Sequence, residues 1–423
     1  MAEIVLVIGL LVFLAHFFTA LFRRTRVPDV LLLLLLGVIL GPVTGWVKPE
    51  DFGHVGGVIS MFALIVILFE SGIDLKPDVI ARTWRPTLGL TLTTFVITLG
   101  CAYLCAYYLL GLSPMLSWIL GATVGGTSAA VVIALVKSLK MPDPGGTVLI
   151  LESALGDVLC IVLLLGLVEA AALGSLHAVK MIGSIFSSLV CAGIIGMLGG
   201  FLWLAVLNSV RQFPNTTFTT LAFLFILFGI SDMLGFSGAI AALAFGATLT
   251  NHQRLDFVSK QEFLRGRVLG SINESDVDFF MEILFLLKTF FFIYMGVSIR
   301  FTDIRLIGVA AVFTIAVFLL RVPIVRFVFP RGAVAWQDAT LMTFMVPKGL
   351  VSAVLASIPV ERGLPGAEII RDFTYMVVLL SVVLTAVLIP ISEAGPVARF
   401  YRRIFAGPSL PEPSEPEPEP AAE

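Results

Sequence analysis

The sequence predicts an all-α polytopic membrane protein of about thirteen transmembrane helices, arranged as two inverted six-helix repeats. Three observations carry that prediction. The 423 residues are 58% hydrophobic and only 13% charged, with mean hydropathy +1.03, where a soluble domain carries about 25% charge. The basic residues alternate between successive loops with a strong bias. Two spans separated by an odd number carry helix-breaking residues at mid-depth.

Apolar runs near the ~20 residues that a bilayer requires fall at 2–22, 29–47, 53–73, 86–110, 115–136, 146–169, 179–208, 217–235, 237–250, 278–299, 304–329, 338–358 and 373–392. They make one transmembrane domain over 1–406 and leave no room for a large soluble domain. The first run lacks a basic leader and a clear cleavage site, so it reads as a retained helix and not a signal peptide. The longest polar loop, 251–275, is a candidate for a short interfacial helix. The tail, 407–423, is rich in Pro and Glu, has one Leu and no aromatic residue, and is expected to be disordered. All four cysteines lie inside apolar runs without metal-ligand or disulfide spacing. Cys101 and Cys105 share a helix face and read as packing, and no cofactor is implied.

Orientation follows from the 27 Lys and Arg. Loops after odd-numbered spans, with the C-terminus, hold eighteen of them, including Arg23, Arg24, Arg82, Arg85, Lys137, Arg211, Arg326 and Arg399. Loops after even-numbered spans hold six: Lys48, Lys180, Arg300, Arg305, Arg362 and Arg371. Lys288, Arg321 and Lys348 lie within spans. The positive-inside rule then puts the N-terminus outside and the C-terminus in the cytoplasm, and a miscounted span would scramble the bias.

The fifth span contains Gly125-Gly126-Thr127-Ser128, where adjacent glycines and two hydroxyl residues disfavour a regular helix. The twelfth contains Pro347-Lys348-Gly349, in which Pro347 removes an amide donor and Gly349 loosens the next turn. Lipid tolerates such breaks only where the freed backbone meets protein or a polar cavity. The offset from five to twelve is seven, so the two spans run in opposite directions. Broken helices at matching places of two inverted halves are the sequence sign of an inverted-repeat secondary transporter. The competing explanation is close helix packing, which also favours Gly and Pro.

The sixth span carries Asp157 near its centre and Glu152 five residues earlier. Carboxylates at bilayer depth are costly and mark ion or proton pathways. Five residues turn about 500°, so the two acids point roughly 140° apart and need different partners. Ser153 lies one turn before Asp157 on the same face.

In this order along the chain, the runs Gly37-Val38-Ile39-Leu40-Gly41-Pro42, Leu68-Phe69-Glu70-Ser71-Gly72, Glu152 to Asp157, Phe236-Ser237-Gly238, Phe290 to Ser298 and Lys348-Gly349-Leu350-Val351-Ser352 resemble the monovalent cation:proton antiporters, most of all the NhaP and NHE type sodium/proton exchangers. The resemblance covers most of the chain. It implies a core around spans five, six, twelve and thirteen, with the other spans as scaffold and dimer surface. Asp157 then corresponds to the carboxylate that alternately holds cation and proton. Ser153, Thr127, Ser128 and Glu70 correspond to further cation contacts, Glu70 near the cytoplasmic funnel or else merely solvated. Glu152 becomes a structural acid paired with Lys348, and Arg321 a base that steadies the core. The chain departs from the family at Gly156, where Asn or Asp is usual, at Thr127-Ser128-Ala129, which lacks the usual acid, and at Lys348, where Arg is usual.

The resemblance makes the chain a carrier and not an enzyme, exchanging sodium, lithium or potassium for protons in the plasma (inner) membrane as a homodimer that serves pH homeostasis. Its partners are those ions and the lipid bilayer, and nothing suggests nucleic acid. A hard cation replaces its hydration shell with oxygens, which Asp157, Ser153, Thr127, freed carbonyls and water can supply. Burial opposes a charged carboxylate and a nearby cation favours it. With one titrating acid the exchange is electroneutral. Lys288, in the tenth span, is either a counter-charge or a second proton carrier that would make it electrogenic. Asp232 and Glu282 lie near span ends and read as solvated or paired.

Two other classes compete. Leu155-Gly156-Asp157 is similar to the Gly-x-Gly-Asp motif of intramembrane aspartyl proteases, but Ala154 stands at the first glycine and the second mid-membrane aspartate of a dyad is missing. A non-transporting sensor on the same scaffold is one alternative, and an organic-anion carrier, which would use the positive ends of the broken helices, is another that a buried carboxylate at the crossing opposes.

Overall fold

The computed structural model describes residues 2–25, 28–52, 55–74, 77–142, 144–173, 178–212, 218–251, 273–301, 303–392 and 395–406. The tail 407–423 and most of the 251–275 loop fall outside the described residues. Among those described the chain is entirely helix, turn and connection, as expected where only internally bonded backbone can cross lipid. Among the described residues seven helices are long and apolar enough to span a membrane, and the chain is an integral membrane protein.

Every predicted span has its helix. These are α1 (Ala2–Thr25), α2 (Asp29–Val38), α3 (Val55–Asp74), α4 (Pro77–Leu104), α5 (Pro114–Val124), α6 (Ala129–Ser138), α7 (Gly145–Leu173) and α8 (Ala178–Val210). The second half holds α9 (Thr219–Met233), α10 (Gly238–Asn251), α11 (Glu274–Ser298), α12 (Ile304–Val328), α13 (Trp336–Phe344), α14 (Leu350–Glu361) and α15 (Ala367–Ile391). A further helix, α16 (Gly395–Phe405), follows where no span was expected. Its arginines, Arg399, Arg402 and Arg403, make it too polar to read as a span, yet Phe405 is buried and Tyr401 stacks edge-on against Phe344 of α13 at 5.1 Å.

Two boundaries move for identifiable reasons. The fourth span was expected from residue 86, but α4 begins at Pro77 because its polar first turns, with Arg85 against Trp84, continue the helix beyond the apolar run. The second span ends in a π-turn over Ile39–Val43 that contains Pro42, the kind of local rewinding a proline imposes.

The helices form two groups that pack mainly among themselves: α1–α3 with α8–α11, and α4–α7 with α12–α15. Small residues bring backbones together in the first group. A Cβ at Gly37 of α2 would lie 2.3 Å from Ile293 O of α11, and one at Gly246 of α10 would lie 2.2 Å from Phe69 O of α3. A partly buried ion pair, Lys288 Nζ to Asp29 Oδ2 at 3.0 Å, also joins α11 to α2. In the second group the fifth span breaks into α5 and α6 and the twelfth into α13 and α14, at matching places of the two halves. Among the seven long apolar segments the fifth span is the most enclosed, with 83% of its apolar core buried against 44% for the fourth. Its open backbone is therefore shielded from lipid by protein.

Candidate functional site: the helix crossing at Asp157

Ser113 caps α5, with Pro114 in its first turn, and the helix stops at Val124 where the two glycines begin. Four residues later Ser128 caps α6, its hydroxyl accepting from Val131 N. The partner break runs from Met345 to Gly349 without helical structure, and Gly349 is extended before α14. The two breaks touch: Ser128 N donates to Pro347 O at 2.7 Å. A Cβ at Gly349 would lie 2.0 Å from Ser128 Oγ, so only glycine fits there. The predicted breaks at Gly125, Gly126, Pro347 and Gly349 thus form one crossing.

Helix α7 lies along that crossing and buries Glu152, Ser153, Asp157 and Cys160. Asp157 Oδ1 and Cys160 Sγ would be 3.2 and 3.1 Å from a Cβ at Gly126, so both side chains press on the broken segment. Gly126 N donates to Cys160 Sγ at 2.9 Å. Lys348 Nζ donates to Gly126 O at 2.7 Å, and Lys348 N donates to Ser381 Oγ of α15 at 2.9 Å. The ammonium therefore sits at the negative C-terminal end of α5, while Asp157 lies near the positive N-terminal end of α6.

The pairing of the acids corrects one expectation. Glu152 binds Arg321 and not Lys348: Nη1 and Nη2 donate to its two oxygens, both at 2.5 Å. Arg321 also donates to Met342 O at 3.2 Å and to Thr94 Oγ1. The guanidinium fork suits a carboxylate better than an ammonium does, and the crossing directs Lys348 to Gly126 O instead. Asp157 has no such partner. Among the described residues its carboxylate makes no hydrogen bond and no ion pair within 4 Å, although it is only 4% exposed.

The other expected cation contacts divide. Thr127 and Ser128 are buried in the broken segment, and the buried Ser153 donates to Ile150 O at 2.8 Å. Glu70 lies near the end of α3, half-buried and in the other helix group. Lys288 is held away from the crossing by Asp29. Sequence reasoning missed Cys160, although it stands three residues after Asp157 on the same helical face, and it missed Ser381 and Asp29, whose partners are distant in the chain. Asp232 lines a separate wide cavity, of about 740 Å³, with Glu50, Tyr294, Arg300, Glu361 and Arg371, and so supplies no second aspartate beside Asp157.

Two crossed broken helices in inverted halves, a bare buried carboxylate and balancing buried bases define an inverted-repeat membrane protein built around a buried polar centre. Residues 10–391 match the family described as sodium/hydrogen exchanger, transmembrane, and the chain belongs to that family. Among curated relatives it is similar to the K(+)/H(+) antiporter NhaP2 of Shewanella oneidensis, with 25% identity over 366 residues covering 85% of this chain and 61% of that protein. It is also similar to the Na(+)/H(+) antiporter NhaP of Pseudomonas aeruginosa, with 26% identity over 391 residues covering 86% and 84%. The chain thus spans about 61% of the length of the potassium-named relative. In fold it is similar to the sodium proton antiporter MjNhaP1 from Methanocaldococcus jannaschii, with a TM-score of 0.73 and 19% identity, over 90% of this chain and 98% of that one.

Proposed function

We propose that the chain exchanges a monovalent cation, Na+, Li+ or K+, for H+ by alternating access, with Asp157 holding either the cation or the proton but never both. The observation that carries this reading is the contrast between the two buried acids of α7. Both oxygens of Glu152 are committed to Arg321, whereas the Asp157 carboxylate is uncommitted beside open backbone. A bare buried carboxylate is unfavourable unless it takes up a counter-ion. Either a proton or a dehydrated cation meets that need, and each excludes the other. Ser153, Thr127 and Ser128 lie close enough along the chain and the crossing to add oxygens.

With one exchanging acid the stoichiometry is one to one and electroneutral. Lys288 is a counter-charge to Asp29 in this reading, and Lys348 a fixed cap on α5. The relatives named for potassium and for sodium leave both ions as substrates. The Lys and Arg bias supports an N-terminus outside and a C-terminus in the cytoplasm, in the plasma (inner) membrane on this reading. The wide cavity beside Asp232 then opens outward, because residues 49–50, 298–300 and 358–362 line it. The protein works as a homodimer, with α4–α7 and α12–α15 moving against the other helices.

The test is proteoliposome exchange with a pH dye, recording the response to sodium, lithium and potassium in the parent and in Asp157→Asn. The parent dissipates the pH gradient with at least one of the cations and the variant with none. Full exchange by Asp157→Asn would sink the mechanism.

A further inference from the structure

Many buried helical threonines in this protein return their hydroxyl protons to the carbonyl one turn back. Thr123, Thr248, Thr289, Thr314, Thr340 and Thr374 all do so, at 2.7–2.8 Å, and Thr385 gives its own to Phe344 O of a neighbouring helix. Helix α4 departs from the pattern. Thr83, Thr87, Thr91, Thr94 and Thr98 recur at three- and four-residue steps, share one face and are all buried. Two of them, Thr87 and Thr91, are each 2% exposed, and their hydroxyls have no hydrogen-bond partner among the described residues. A carbonyl four residues back is normally within reach of a helical threonine, so these two hydroxyls are left with unused hydrogen-bonding capacity.

Thr91 opens on a cavity between α4 and the α5–α6 break, walled also by Thr94, Gly126, Thr127, Glu152 and Gly156. The cavity has about 10 Å³ of room, enough for the centre of one water molecule. Buried waters use two to four polar partners, and the hydroxyls, the carboxylate and the exposed peptide groups supply that number. Gly156 keeps the space open: a Cβ there would sit 3.5 Å from Gly126 Cα and 3.7 Å from Thr127 N, directed at the broken segment.

We propose that this cavity is a water-binding subsite, in which one water anchored by Thr91 ties α4 and Glu152 to the Gly125–Thr127 backbone that faces Asp157. Asp157 is not among the residues that line the cavity, so the water acts on that backbone and not on the acid itself. Thr91 is therefore a positioning residue: it sets the orientation of the peptide groups and the Thr127 oxygen that the cation meets. The functional consequence rests on the exchange reading above, whereas the water does not.

Two measurements on the full chain test it. A structure that resolves ordered water has one within hydrogen-bond distance of Thr91 Oγ1, and it is lost in Thr91→Val. In proteoliposomes Thr91→Val raises the apparent KM for the cation at least threefold with little change in maximal rate, Gly156→Ala does the same by filling the space, and Thr91→Ser stays within twofold of the parent. A dry cavity in the parent overturns the inference whatever transport shows. An unchanged KM in Thr91→Val overturns it too, as does a Thr91→Ser variant as impaired as Thr91→Val, which would mean that shape and not the hydroxyl matters. Failure of the parent to exchange any cation refutes the proposed function instead, and the structural measurement still decides the water.

Discussion

Removing Arg321 is the most informative single perturbation of the core. Its guanidinium is fully buried and donates to both oxygens of Glu152 at 2.5 Å, to Met342 O and to Thr94 Oγ1. In Arg321→Met the Glu152 carboxylate is left buried without its cation, a change that costs about 3–5 kcal/mol. Neutralising the acid as well, in Glu152→Gln/Arg321→Met, removes the orphaned charge. What remains is the loss of the Met342 and Thr94 bonds, about 1–3 kcal/mol together. Removing Arg321 therefore costs about 2 kcal/mol less once the acid is neutral, and because Glu152→Gln alone strands a buried guanidinium, the double-mutant cycle should show a coupling energy of at least about 2 kcal/mol. Lys348 is committed to Gly126 O, so the corresponding Glu152→Gln/Lys348→Met cycle should couple by less than about 1 kcal/mol. The assay is reversible unfolding of detergent-purified protein by denaturant, followed by tryptophan fluorescence. Strong coupling of Glu152 to Lys348 with none to Arg321 would refute the charge arrangement drawn here.

Gly349→Ala drives a methyl into Ser128 Oγ and should destabilise the crossing by at least about 1–3 kcal/mol, with Gly349→Ala/Ser128→Gly recovering more than half; unfolding of the two variants checks this. Lys288→Met should lower stability by about 1–3 kcal/mol, because the pair with Asp29 is partly exposed. It should leave exchange electroneutral, as a valinomycin/potassium clamp in the sodium assay reads directly. Lowering the pH protonates Asp157 and removes the charge that attracts the cation. The apparent KM should therefore rise with acidification, approaching tenfold per unit for a single competing proton, and a slope of two would require a second titrating group.

The parts of the fold that depend on local chemistry were legible in the chain. Runs of apolar residues are long enough to locate each span, and Gly125-Gly126 and Pro347-x-Gly349 mark their breaks because glycine and proline act on their own backbone. Asp157 and Ser153 share a face by helical spacing alone. Relations between distant segments were not legible in this way. Glu152 and Arg321 are 169 residues apart, and nothing in either span says that α12 presents its base to α7 at that depth while Lys348 turns to Gly126. Lys288 and Asp29 are 259 residues apart, and the acid stands at the first turn of α2, where it reads as an ordinary helix-start residue. The start of α4 and the whole of α16 were hidden by charge, since a hydropathy reading stops where arginines begin. The threonine face of α4 is visible as spacing, but its meaning comes only from the contrast with threonines that bond their own helix.

The central claim is that one carboxylate, Asp157, trades a proton for a cation. Calorimetric titration of the purified protein with the transported cation, in two buffers of different ionisation enthalpy, counts the protons released on binding. The account predicts about one proton per cation near the pH at which Asp157 is mostly protonated, and neither heat of binding nor proton release in Asp157→Asn. Proton release that persists in Asp157→Asn would contradict it.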